Sequence, residues 1–191
     1  MKEWLLRMTA FVLLVSGSLL LADGCWIRTK AVLAQYLLQR AWEQTLKSGE
    51  PTKPWPWADT WPVARLRMEG LDVDLIVLEG ESGEVLAFGP GHLPRSSAPS
   101  GDGNCVLAGH RDTSFRFLQK LQTDDTFTLQ TLDGDLYTYR VRGTAIGEAD
   151  GLYLEEGDFP CLTLLTCYPF ATLGATRTTL RYLVFADRIA G

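Results

Sequence analysis

The run Cys161-Leu162-Thr163-Leu164-Leu165-Thr166-Cys167, closed by Tyr168-Pro169-Phe170, constrains this chain more than any other stretch. Apolar and β-branched side chains in so short a run, stopped by a proline-containing turn, suit a strand covered on both faces. Its last residue then sits at the rim of a sheet. A thiol held there by a rigid element, yet open to a cleft, meets the requirement of nucleophilic catalysis, and Cys167 is read as the nucleophile. The competing reading is a cysteine that packs as a small hydrophobe.

From Trp61 onward the chain reads as short strands separated by turns. Val63 to Met68 and Val73 to Leu78 flank Glu69-Gly70 as a hairpin, and Thr126 to Thr131 and Tyr137 to Arg142 flank Asp133-Gly134 as a second one. Asn104 to Ala108 is a further buried strand that runs into Gly109-His110-Arg111-Asp112, and Leu180 to Ala186 is the last. Gly89 to Gly103 reads as a long irregular connection containing His92. Ser114 is a candidate cap for a short helix over Phe115 to Leu121. Gly143 to Phe159, acidic and glycine-containing, reads as a loop of a length that usually carries function. Many short strands with few helices predict a mainly β fold, a closed or nearly closed barrel.

The amino-terminal part has a different character. Trp4 to Ala22 is largely apolar, with Lys2 and Arg7 ahead of the best run and Asp23-Gly24 after it. Extended through Ile27 it approaches the ~20 residues a bilayer requires, so residues 1–27 are read as an uncleaved signal anchor. The alternative is cleavage or lipidation at Cys25, since Leu21-Ala22-Asp23-Gly24-Cys25 faintly resembles a lipoprotein cleavage box. Within residues 28–60, Val32, Leu33, Tyr36, Leu37, Ala41 and Trp42 recur at helical spacing. That amphipathic helix is left to lie on the bilayer, pack on the domain or extend the membrane helix. Gly49 and Pro51 end it, and Lys53-Pro54-Trp55-Pro56-Trp57 belongs to a linker whose tryptophans cover an edge or touch the membrane interface. Residues 61–191 are left as one catalytic domain.

A net charge of −5 and a pI near 5.0 remove any basic field for phosphate backbones, so no nucleic-acid partner is expected. The cysteines, Cys25, Cys105, Cys161 and Cys167, form no Cys-x-x-Cys pair and there are two histidines, which speaks against a structural zinc site. No cofactor or metal is expected. A thiol with an ordinary pKa of about 8.5 needs a base or an electropositive neighbour at neutral pH. His110 ends a strand-like run as Cys167 does, so two parallel neighbouring strands bring both side chains to one rim. His92, between glycines and prolines, is placed in a loop. Taken by itself, His110 is as well explained as a turn histidine bonded to backbone.

These residues together carry a resemblance. Thr163-Leu164-Leu165-Thr166-Cys167 resembles the TLxTC signature of sortases, with a histidine upstream and an arginine downstream in the family's order. Gly89 to Pro94, Ala108-Gly109-His110-Arg111-Asp112-Thr113 and Thr166-Cys167-Tyr168-Pro169-Phe170 resemble the Gram-negative class, class GN, close to class D, and the resemblance covers Trp61 to Asp187. It implies an eight-stranded β-barrel and a cysteine transpeptidase. The implied partners are a secreted protein bearing an LPxTG-like sorting signal near its carboxyl terminus and an amine nucleophile. The implied place is the bacterial inner membrane, with the catalytic domain on the periplasmic side.

On that resemblance Cys167 attacks the Thr carbonyl, His110 protonates the leaving amine and deprotonates the incoming one, and an arginine stabilises the oxyanion. Arg181, opening Arg181-Tyr182-Leu183-Val184, resembles the strand-borne arginine; Arg177, in the connecting loop, is the alternative. Thr166 is a candidate for orienting or substrate binding. Asp112 is left to orient the imidazole, bind substrate or cap the next helix. Glu148, Asp150, Glu155, Glu156 and Asp158 occupy the loop where some sortases bind calcium, and are read instead as a solvated acidic face.

Two rival functions are weighed: a membrane-anchored cysteine peptidase that hydrolyses its acyl-enzyme with the same residues, and a non-catalytic sortase-like binding module, against which the intact His110, Cys167 and Arg181 argue. Papain-like enzymes place Cys before His, the reverse of the order here. Counting back from His110 and Cys167 brings Cys105 and Cys161 to similar heights on the two strands. Adjacent parallel strands rarely offer the geometry of an unstrained bridge, so two buried thiols are expected rather than a disulfide.

Overall fold

The computed structural model describes residues 2–149, 159–170 and 178–189. The chain divides into two units, Met1–Leu37 and Leu38–Gly191. Helix α1 (Lys2–Ser48) fills the first unit and continues into the second. In the first unit Phe11, Leu13, Leu14, Leu19, Leu20 and Leu21 are exposed. By length and composition this helix is apolar enough to cross a membrane.

The second unit is built on a closed barrel of eight strands, in the order β1-β2-β3-β4-β7-β8-β6-β5. They are β1 (Pro62–Met68), β2 (Val73–Glu79), β3 (Gly91–His92), β4 (Asn104–Ala108), β5 (Thr126–Thr131), β6 (Leu136–Glu148), β7 (Cys161–Cys167) and β8 (Leu180–Ile189). Most neighbours are antiparallel, but β2 with β3 and β4 with β7 are parallel. The mainly β, eight-stranded barrel is therefore the observed architecture.

Alternation along the strands supplies the core. Leu66 from β1, Leu107 from β4, Leu129 from β5, Leu162 and Leu164 from β7 and Val184 from β8 are fully buried together. Burial of each such side chain contributes about 1.5–3 kcal/mol. Phe115 and Leu118, flanking and within the 3-10 turn Arg116–Lys120, join the same cluster.

The last turns of α1 belong to this unit as well. Leu38, Ala41, Trp42 and Thr45 are buried, and Leu38 packs with Leu78 of β2 and Val85 of the short helix α2 (Gly83–Leu86). Of the placements left open for the amphipathic segment, two hold together: it continues the apolar helix, and its final turns pack on the domain. Gly49, at φ +73°, turns the chain out of the helix, and its N–H donates to the Thr45 carbonyl at 2.9 Å. In the proline-rich stretch, Trp55 covers Phe88 edge to face at 4.9 Å, whereas Trp57 stays exposed.

Three local expectations are corrected. Strand β6 does not stop near Arg142 but runs to Glu148, because the ten-residue β8 offers a partner as far as Glu148 opposite Leu180. The register shifts between Val141 and Gly143, and Gly147 pairs in regular register with Arg181. The Gly89–Gly103 connection contains a strand, β3, and His92 lies in it, buried. Ser114 caps no helix: the turn after Phe115 has no side-chain cap, and the His110 carbonyl accepts from the N–H groups of Phe115 (2.9 Å) and Thr113 (3.3 Å) instead.

Candidate active site

The site is a consequence of strand register. Strands β4 and β7 pair in parallel from Asn104 opposite Cys161 to Ala108 opposite Leu165. The Gly109 N–H donates to the Leu165 carbonyl at 3.0 Å, and the Thr166 hydroxyl donates to the Gly109 carbonyl at 2.6 Å. Counting two residues on from Ala108 and Leu165 puts His110 level with Cys167. Parallel neighbours lie about 4.8 Å apart, so both residues reach the same rim.

On the other side of β7, the antiparallel ladder with β8 sets Cys167 directly opposite Arg181. Opposed residues of an antiparallel pair project to the same face, with Cβ atoms about 4.5–5.5 Å apart. That face also carries Thr163 and Leu165, whereas Leu162 and Leu164 point into the core. The thiol is thus flanked by His110, exposed, and Arg181, half-buried. Arg181 Nη1 donates to the carbonyls of Thr178 (3.0 Å) and Leu180 (3.1 Å), which anchors the guanidinium and leaves its Nε and Nη2 donors for other acceptors.

A thiol flanked by an imidazole just beyond β4 and a guanidinium on β8 has the groups that an acyl-transfer site needs. A sortase-domain family model matches residues 66–189 of the chain. The chain belongs to the sortase family. This sortase is 32% identical over 126 residues to sortase D of Bacillus subtilis (strain 168). The match covers 65% of this chain and 62% of that relative, so the chain spans less than two thirds of the relative's length. Its fold is similar to that of a Clostridium perfringens sortase D5 transpeptidase, with a TM-score of 0.67 and 23% identity over 83% of this chain and 99% of that one. Sortase A from Corynebacterium diphtheriae gives 0.62 and 25% over 70% and 63%. Sortase C-1 from Actinomyces oris gives 0.58 and 29% over 68% and 74%.

The remaining sequence candidates of this sortase separate. Thr166 is buried and bonded to Gly109, so it ties the end of β7 to the residue before His110. Asp112 is 70% exposed and approaches Arg111 Nε at 3.7 Å, too long for a hydrogen bond. Glu148 ends β6, exposed, and no three His, Cys, Asp or Glu side chains gather as metal ligands among the described residues. Arg177, Asp150, Glu155, Glu156 and Asp158 lie outside the described residues.

All four cysteines are thiols. Cys105 stands opposite Leu162 and Cys161 opposite Asn104, a stagger of one residue that turns the two sulfurs to opposite faces of the sheet. Cys105 faces the core, where burial pushes its thiol far up, chiefly by desolvation. Of the four, Cys167 is the half-buried thiol that has Arg181 opposite it on β8 and His110 two residues beyond the end of the neighbouring β4.

Three features at this rim escaped the sequence reading. Tyr182, opposite Thr166, stacks on Tyr168 at 6.2 Å and meets Phe170 edge to face at 5.2 Å, bracing the turn that follows Cys167. Arg111 is buried, and its Nη1, like the hydroxyl of Ser114, has no hydrogen-bond partner among the described residues. At Gly109 a Cβ would stand 2.7 Å from Phe115, so only glycine lets the Phe115 ring close over the chain before His110. A glycine preceding the histidine was the one signal available for that contact.

Proposed function

We propose that this protein is a membrane-anchored cysteine transpeptidase of the Gram-negative sortase class, held in the bacterial inner membrane with its barrel on the periplasmic side. Its substrate is a secreted protein with an LPxTG-like signal near the carboxyl terminus. The observation that supports this best is the placement of Cys167 between His110 at the end of β4 and Arg181 on β8.

In the proposed reaction the Cys167 thiolate adds to the carbonyl of the Thr in the signal, and Arg181 donates to the oxyanion. The C–N bond breaks as the His110 imidazolium gives its proton to the leaving amine, and a thioester remains on Cys167. An incoming amine then attacks the thioester, His110 takes its proton, and the new amide leaves a thiolate and an imidazolium behind. The cycle balances without a metal or cofactor.

The test is incubation of the full chain, in detergent, with an LPxTG peptide and an amine such as triglycine, followed by mass spectrometry. A ligated peptide and a thioester adduct on Cys167 are expected. Cys167→Ala abolishes both while remaining folded, and His110→Ala costs nearly as much. Release of the free acid as the sole product, with triglycine present, replaces transfer by hydrolysis, and turnover by Cys167→Ala refutes the assignment.

A further inference from the structure

Strand β3 joins β2 to β4 in the barrel and has only two residues. Its ladders are correspondingly short: Gly91 and His92 pair with Leu78 and Glu79 on one side and with Ala108 and Leu107 on the other. The backbone approach is so close that a Cβ at Gly91 would collide with the Gly80 carbonyl oxygen. Two pairs are little to hold β3 against β4, the strand that leads to His110.

Side chains supply what the backbone lacks. His92, 5% exposed, has Nδ1 3.0 Å from Glu79 Oε2 and Nε2 3.0 Å from the Ser97 carbonyl. The Ser96 hydroxyl donates to the Leu93 carbonyl at 2.7 Å, accepts from the Val106 N–H at 3.0 Å and lies 3.3 Å from His92 Nε2. Leu93 N–H donates to the Val106 carbonyl at 2.9 Å, and Ser97 N–H to the Asn104 carbonyl at 3.0 Å. Asn104 Oδ1 in turn accepts from the Thr163 hydroxyl of β7 at 2.9 Å. One buried cluster therefore ties β2, β3, β4 and β7 to each other.

The proton inventory of the cluster is specific. The Ser97 carbonyl can only accept, so Nε2 is the nitrogen that donates to it, and Nδ1 faces the Glu79 carboxylate. A side-chain amide at position 79, which can donate to Nδ1, satisfies the same geometry.

We infer that His92, with Glu79 and Ser96, is a positioning residue for the reaction: a clasp on Val106 and Leu107 that keeps β4 in place and His110 level with Cys167. This rests on the catalytic reading above. Misplacement of a reacting group by about 1 Å costs up to ~100-fold in rate, and β7 still holds the other edge of β4, so a fall of about tenfold is expected on breaking the clasp.

The experiment compares wild type with His92→Ala, Glu79→Ala, Glu79→Gln and Ser96→Ala, at a temperature where each is folded by circular dichroism. Three readouts are taken: kcat and KM with a sorting peptide, alkylation of Cys167 by iodoacetamide resolved by peptide mass spectrometry, and amide hydrogen exchange. His92→Ala and Glu79→Ala should lower kcat about tenfold with KM little changed, slow alkylation of Cys167, and speed exchange at Val106 and Leu93 while Leu66 and Leu129 stay protected. Glu79→Gln, whose amide can donate to Nδ1, should retain kcat within about threefold. If His92→Ala does not fold, Ser96→Ala, which removes the acceptor of Val106 N–H, is expected to show the same pattern. A folded His92→Ala or Ser96→Ala protein with wild-type kcat and alkylation overturns the inference, even if its melting temperature falls. Failure of wild type to acylate overturns the catalytic reading instead, and alkylation and exchange then still decide the clasp.

Discussion

Replacement of Arg181 examines the whole arrangement. Its guanidinium has five N–H donors, and Nη1 is occupied by the carbonyls of Thr178 and Leu180, so Nε and Nη2 remain for the oxyanion. Loss of one well-placed oxyanion donor costs about 10²–10³ in kcat, or ~2.7–4 kcal/mol of transition-state stabilisation. Arg181→Ala should therefore lower kcat at least ~100-fold with a smaller change in KM. Arg181→Lys keeps the charge but cannot hold two carbonyls with one nitrogen while presenting others to the oxyanion, so it should recover little of the loss. The assay is single-turnover formation of the Cys167 thioester, with quenched samples read by intact mass. The side chain is half-buried and its two bonds are to backbone, so both variants should remain folded at the assay temperature. A thioester forming within threefold of the wild-type rate in Arg181→Ala would falsify the assignment, and a larger loss in Arg177→Ala would move the role to the loop.

Thr166→Val removes a 2.6 Å bond between buried groups and leaves the Gly109 carbonyl without that donor; a cost of about 1–2 kcal/mol, or roughly 2–8 °C in melting temperature, is expected by calorimetry, with Thr166→Ser close to wild type. Non-reducing peptide mapping after alkylation should recover Cys105 and Cys161 as separate thiol peptides, and a linked pair would contradict the one-residue stagger of β4 on β7. Asp74 is held below the usual carboxylate range, first by its hydrogen bond to Arg65, with contacts of 2.6 and 2.7 Å. Because the folded-state pKa is depressed, this stabilisation is present above the unfolded value of about 3.9 and is lost as pH falls through the folded one. Half-exposed as it is, the pair is worth under about 1 kcal/mol after screening, so Asp74→Asn should lower the melting temperature slightly at neutral pH, and the difference should vanish toward about pH 2.

What the amino-acid sequence determined by itself was local. The run Cys161 to Cys167 alternates toward a core, and β7 has those same bounds. Val73 to Leu78 and Thr126 to Thr131 are legible for the same reason, since the side-chain period of two is written in adjacent residues. The pairing of β4 with β7 could be argued because two strands ending in reactive groups have few ways to share a rim. Tertiary structure decided whatever depended on a distant partner. Strand β6 reaches Glu148 only because β8 is long enough to pair with it, and two residues count as β3 only because Leu78 and Ala108 stand on either side. His92, which local composition places in a loop, is buried because Glu79, thirteen residues earlier, and Ser97 supply its two acceptors. Cys105 and Cys161 lie five and six residues before His110 and Cys167, a stagger of one residue that the β4–β7 register turns into opposite faces of the pleated sheet.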